Sequence, residues 1–141
     1  MQHGGAPILL PGVDGYGSDA RDDGPVVNLS YWVFEAFPVL QQLAPGTDWA
    51  ALSQNGIALT KRSLGPDRPL PPEWLSVETV PRPAKGFKDE FGYNAIRIPL
   101  YLIRGEIAEP ELIRGLISAM APDGTAVNPV SYTHLTLPTK A

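Results

Sequence analysis

Proline placement constrains this chain more than any other feature. Pro66, Pro69, Pro71, Pro72, Pro81 and Pro83 crowd into one stretch. A ring that fixes φ and removes the backbone N–H excludes a helix interior and a central strand there. Residues 64–90 also lack a sustained hydrophobic period, so they read as a long irregular connection, a type that in compact domains is usually functional or lid-like. Trp74-Leu75 is the pair expected to pin it to a core. The chain has 141 residues, 43% of them hydrophobic, which suits one domain with a core of its own.

On either side of that connection the pattern is helical. Ser30 can cap a helix reaching about Leu43, with Val27, Tyr31, Phe34 and Leu40 near one face and a kink or early break at Pro38. Thr47 or Asp48 caps the next helix, in which Trp49, Leu52, Gly56 and Leu59 recur at helical spacing. A third helix is expected from near Tyr93-Asn94 to about Arg104. The fourth follows Glu109, with Pro110 in its first turn and Leu112, Ile113, Leu116, Ile117 and Met120 forming an apolar stripe that Asp123-Gly124 closes. Near the start, Ile8-Leu9-Leu10 reads as a short strand that Val26-Val27 can join in a small hairpin, across a turn-rich loop at 13–24. Helices joined by loops, with one short β-hairpin, point to an all-α architecture. No internal repeat suggests a solenoid.

Charge and composition exclude several functions. A formal net charge of −4 argues against a nucleic-acid surface or an anionic membrane surface. Apolar runs are broken by charge or proline well short of a membrane span, so no membrane insertion is expected. With no cysteine there is no disulfide or thiolate metal site. The N-terminus lacks the basic start and apolar run of a signal peptide, so any export signal of a secreted parent lies upstream.

The C-terminus is a separate matter. Residues 130–139, from Val130 through His134 to Thr139, resemble one translated frame of a transposon adapter used in sequencing libraries. Such a scar is set aside before fold reasoning. Residues 130–141 are expected to pack against nothing, and residues 1–129 to form the domain. Setting the tail aside removes His134 and leaves His3 as the sole histidine, so no metal or cofactor is expected.

Two segments carry a family resemblance. Val26-Val27-Asn28-Leu29-Ser30-Tyr31-Trp32 is similar to the Asn-Pro-Ser-Tyr segment of family 8 glycoside hydrolases, with Leu29 where proline is usual. Phe91-Gly92-Tyr93-Asn94-Ala95-Ile96-Arg97-Ile98-Pro99-Leu100-Tyr101-Leu102 resembles that family's Tyr-Asp-Ala-x-Arg segment, most closely in the bacterial cellulose-operon branch. Their order and spacing match, and the segments around Trp49 and Pro71-Pro72-Glu73-Trp74 fit that branch. The resemblance covers nearly all of residues 1–129 and implies a C-terminal-half fragment, less than half of a full (α/α)6 barrel domain. It also implies an inverting endo-β-1,4-glucanase acting on cellulose-like β-glucan, periplasmic or secreted, and associated with the cellulose synthase complex.

Inverting glycosidases need a carboxylic acid to protonate the leaving oxygen and a carboxylate base to activate water from the opposite face. The resemblance puts the acid, a glutamate, upstream of this chain, so the fragment itself is expected to be marginally folded and inactive on carboxymethylcellulose. It puts the base at Asn94, an amide that can position water but cannot take its proton at neutral pH. Asp89 and Glu90 are the nearest carboxylates in sequence that can substitute, although such a pair ahead of a helix is ordinarily just solvated charge. Arg97, one helical turn from Asn94, is implied to face the cleft with its donor fork, where the plain alternative is a surface ion pair. Tyr31 corresponds to a tyrosine near the attacking water, and Tyr93 precedes the base position. Trp32 is a candidate for stacking on sugar, whereas Trp49 reads as core and Trp74 as a loop anchor. Two other functions fit the residues: a non-catalytic glycan-binding relative that lacks the usual base, and an unrelated all-α interaction domain.

Overall fold

Gly4 and Gly5 have φ values of 57° and 80°, the backbone signs that close a two-residue hairpin. They join β1 (Gln2–His3) to β2 (Ala6–Pro7), with Gln2 opposite Pro7 and His3 opposite Ala6. The structure, a computed structural model, describes residues 1–121. The expected turn at Asp123-Gly124, the boundary after residue 129 and the tail 130–141 lie outside the described residues.

The hairpin expected between residues 8–10 and 26–27 is not formed. Residues 8–10 are irregular, and β3 (Val26–Asn28) pairs antiparallel with β4 (Trp74–Ser76), setting Val27 opposite Leu75 and Asn28 opposite Trp74. On the other side of β4 lies β5 (Arg82–Pro83), an edge position where Pro83 costs no central ladder bond. Val26, Val27 and Leu75 are wholly buried in this arrangement. Apolar alternation identifies a strand without naming its partner, and here the partner is the proline-rich connection. The connection is therefore not wholly irregular, and Trp74-Leu75 pins it as expected.

The single helix expected from Ser30 to Leu43 comes in three pieces. These are 3-10 turns at Leu29–Tyr31 and Phe34–Ala36, followed by α1 (Phe37–Leu43). Asn28 rather than Ser30 is the first cap, its Oδ1 accepting from the Ser30 N–H at 3.0 Å. Pro38 stands in the first turn of α1, where its missing N–H has no helical partner to lose, so it starts this helix instead of breaking one.

The next helix, α2 (Trp49–Ser63), is capped by Asp48, whose Oδ1 accepts from the Ala51 N–H at 2.9 Å. Lys61 and Arg62 occupy its last turn, where positive charge complements the helix dipole. Leu52, Gly56 and Leu59 form its buried face. A methyl group at Gly56 would lie 2.6 Å from Phe34 Cε1 and 2.8 Å from Trp32 Cε3, so only glycine lets α2 approach the 3-10 segment this closely.

Helix α3 (Arg97–Arg104) starts later than expected, because residues 93–96 form turns. Helix α4 (Pro110–Met120) follows Glu109 with Pro110 at its start, as the pattern predicts, and buries Leu116 fully. Trp32, Phe34, Leu52, Leu59, Leu75, Ile98, Leu102 and Leu116 belong to one core cluster. The architecture is helix-rich, in line with the expected helical fold, with a two-stranded and a three-stranded sheet in place of the one hairpin expected. Among the described residues no helix is long and apolar enough to cross a membrane.

Candidate functional site

The chain turns into α3 through three short hydrogen-bonded steps. The Ala95 N–H donates to the Gly92 carbonyl at 3.0 Å, Arg97 to Asn94 at 3.1 Å and Ile98 to Ala95 at 2.9 Å. Ala95 and Ile98 are wholly buried and anchor the turn, which leaves Tyr93 64% exposed and Asn94 and Arg97 half-buried. Arg97 Nη2 donates to Asn94 Oδ1 at 2.8 Å. Because a guanidinium has only donors, the amide oxygen must face it, and the Nδ2 donors remain for another partner. The expected association of residues 94 and 97 is therefore present, through a turn rather than along a helix face.

A residue that sequence reasoning passed over completes the group. Glu73 Oε1 accepts from the Asn94 backbone N–H at 2.8 Å. The Glu73 N–H in turn donates to the Glu90 carbonyl at 3.0 Å. A methyl group at Gly92 would stand 2.9 Å from Glu73 Oε1 and 3.4 Å from Glu90 Oε1, so both carboxylates converge on the bare face of that glycine. Asp89 faces a different partner. Its two carboxylate oxygens accept from the two terminal nitrogens of Arg68, with Nη2 to Oδ2 at 2.7 Å. The sequence contains the Pro-Pro-Glu-Trp segment, but no local period shows that its glutamate reaches a residue 21 positions away.

Glu73 leads directly to the aromatic part of the site through its neighbour, Trp74. The Trp74 ring is stacked between Phe87, centroids 4.3 Å apart, and Tyr16 at 5.9 Å. Tyr31 meets it edge-on at 6.1 Å and remains 42% exposed. Asn28 sets Tyr31 there, since its Oδ1 also accepts from Ser30 Oγ at 2.6 Å and closes the 3-10 turn. Trp32 does not join this surface. It is wholly buried against Phe34 and Gly56, with no acceptor for its Nε1 among the described residues. The expectation that it stacks on sugar is corrected: the 3-10 turn places consecutive side chains on different sides, turning Tyr31 out and Trp32 in. Trp49 is partly buried against the core and donates from Nε1 to the Ala44 carbonyl at 2.9 Å.

The loop at 13–24 is tied over this aromatic stack by Asp23. Its carboxylate accepts from Arg21 Nε at 2.9 Å and from the Lys85 N–H at 2.8 Å, and its carbonyl accepts from Ser76 Oγ. Arg21 also donates to the Lys85 carbonyl at 2.7 Å and lies 5.4 Å above the Phe87 ring. Burial alone would raise the Asp23 carboxyl, but the hydrogen bonds from Arg21 and Lys85 and the Arg21 charge outweigh it and hold it below the usual aspartate value. Among the described residues no group of three His, Cys, Asp or Glu side chains is placed to hold a metal ion.

No family model matches the chain. It is similar to a probable endoglucanase of Novacetimonas hansenii, 29% identical over 80% of this chain and 33% of the relative. Its fold is similar to that of the endo-β-1,4-glucanase CMCax from Acetobacter xylinum, with a TM-score of 0.70, 30% identity and coverage of 82% of this chain and 36% of the other. A family 8 endo-β-1,4-glucanase from an Achatina fulica gut metagenomic library gives a TM-score of 0.69 and 30% identity, covering 85% and 38%. The chain thus spans about a third of the length of the curated relative. Similarity in sequence and in fold coincides over the same large share of this chain, which is similar throughout that share to family 8 endo-β-1,4-glucanases.

Proposed function

We propose that the parent protein is an inverting endo-β-1,4-glucanase and that this chain supplies the part of its cleft around residue 94. The observation that carries this reading is the double fixing of Asn94, by Arg97 through its side chain and by Glu73 through its backbone. An amide held that firmly can present Nδ2 to a water or a sugar hydroxyl while a carboxylate elsewhere takes the proton. Tyr31 and Tyr93, both exposed, are assigned to substrate contact. Of the two carboxylates first considered as the base, Glu90 lies toward the turn, whereas Asp89 is occupied by Arg68. The general acid is assigned to a part of the domain outside this chain.

The same reading makes the described residues a portion of an (α/α)6 barrel. Leu100 and Ile103 on α3 and Ile117 on α4 are 45 to 49% exposed, as expected of helices that pack against further helices in the parent. The relatives' activity supports β-1,4-glucan as the substrate; a periplasmic or secreted location and a place beside cellulose synthase are part of the proposal. Asn94 itself favours a second reading, a non-catalytic glycan-binding relative.

The full-length parent on carboxymethylcellulose separates the two. Hydrolysis, with Asn94→Ala lowering kcat about ten- to a hundredfold and Asn94→Asp tolerated or activating, supports the enzyme. Glucan binding without turnover supports the second reading. The present chain alone should show no turnover.

A further inference from the structure

We propose that Glu73 is the positioning residue of this site, and that it sets the orientation of residue 94 through the main chain. The proposal rests on the reading that residue 94 lies in the catalytic cleft. A side-chain partner such as Arg97 fixes only the outer end of Asn94. The rotation of the whole residue is governed by its peptide plane, which Glu73 Oε1 grips by the Asn94 N–H at 2.8 Å. A carboxylate accepting from a backbone N–H makes a charge-assisted bond, roughly twice as strong as a neutral one.

Three features keep Glu73 itself in place. Pro71 and Pro72 immediately before it are buried and have fixed φ. Its own N–H is held by the Glu90 carbonyl. Leu75, two residues later, is locked between β3 and β5. The grip also requires Gly92, because a methyl group there would come within 2.9 Å of the accepting oxygen and displace it. Glu73 and Gly92 thus form one device, in which the glycine leaves the space that the carboxylate needs to reach Asn94.

The test compares Glu73→Ala, Glu73→Gln and Gly92→Ala in the full-length parent, assayed on carboxymethylcellulose alongside thermal melting. Glutamine keeps an oxygen that can accept the same N–H, so Glu73→Gln should stay within about threefold of wild-type kcat. Glu73→Ala and Gly92→Ala should each lower kcat about ten- to a hundredfold with KM nearly unchanged. Wild-type rates for Glu73→Ala would overturn the proposal. So would a Glu73→Gln variant as inactive as Glu73→Ala, with azide rescuing the latter as an inverted glycosyl azide, since Glu73 would then be the base itself.

A second readout does not depend on turnover. In the wild-type parent the Asn94 amide proton should shift downfield in response to its hydrogen bond with Glu73 Oε1, and Glu73→Ala should abolish that response. If the parent hydrolyses no glucan, the enzymatic reading fails while this resonance still decides the positioning role: a response unchanged by Glu73→Ala overturns it.

Discussion

Between Asp48 and Ser63 the helix is shaped by contacts a few residues apart, such as Asp48 to the Ala51 N–H and Thr60 Oγ1 to the Gly56 carbonyl, with Asn55 and Arg62 reaching out to the Pro7 and Thr79 carbonyls. In the connection after it, Arg68 reaches Asp89, Glu73 reaches Asn94 and Asp23 reaches Lys85, spans of 21, 21 and 62 residues. The first region draws its order from local geometry plus burial of one face. The second draws it from partners distant in the sequence, namely the β3–β4 ladder, the burial of Leu75 and these polar contacts. The proposed site gathers around the second region, because long-range contacts can place side chains from distant parts of the sequence around one point.

The largest expected effect is Trp32→Ala, which removes the ring that Gly56 allows α2 to touch. Urea unfolding of the parent should show a loss of about 3–5 kcal/mol. Glucan affinity of the folded fraction should not change, and a variant with intact stability but weakened affinity would return Trp32 to the cleft.

Asp23→Asn tests the connection instead. It replaces a buried, doubly bonded carboxylate with an amide and should cost about 1–3 kcal/mol at neutral pH. The folded carboxyl titrates below the unfolded value, which is about 3.9 for aspartate. Its stabilisation is therefore complete above that value and is lost as the pH falls through the lower folded value. Stability curves of wild type and Asp23→Asn should converge in acid, and curves that stay parallel down to pH 2 would refute the assignment.

The smallest effect is at the helix start. Asp48→Ala should cost about 1 kcal/mol, the usual value of an N-cap. Hydrogen exchange should speed up at the first amides of α2 and leave those of residues 73–96 unaffected. Faster exchange in the connection would mean that the two regions are less independent than their contacts suggest.

The same division explains what could be read from the residues. Helices α2 and α4 follow from spacing and capping, because the forces that form them act within a turn or two of the sequence. Pro38 was harder, since a proline breaks a helix or begins one according to where the preceding turn ends. The strand pairing is not legible, because Val26-Val27 shows an apolar pair suited to a strand but not that it lies against Leu75, about fifty residues on. At the site, the relation of Asn94 to Arg97 was legible from a separation of three. The role of Glu73 was not, because a hydrogen bond to a distant peptide group leaves no periodic trace.

The stack of Tyr16, Trp74 and Phe87 gives the connection an optical signature of its own. Trp74 is held nearly parallel to both neighbours, at 11° and 15°. Aromatic rings fixed in such an asymmetric environment give a circular dichroism signal in the near ultraviolet, whereas the backbone of the helices absorbs in the far ultraviolet. Release of the 13–24 loop from Lys85 would free one face of Trp74 without unwinding a helix. The parent should therefore lose near-ultraviolet ellipticity before far-ultraviolet ellipticity on acidification, reporting the undocking of this strap while the helices are still formed.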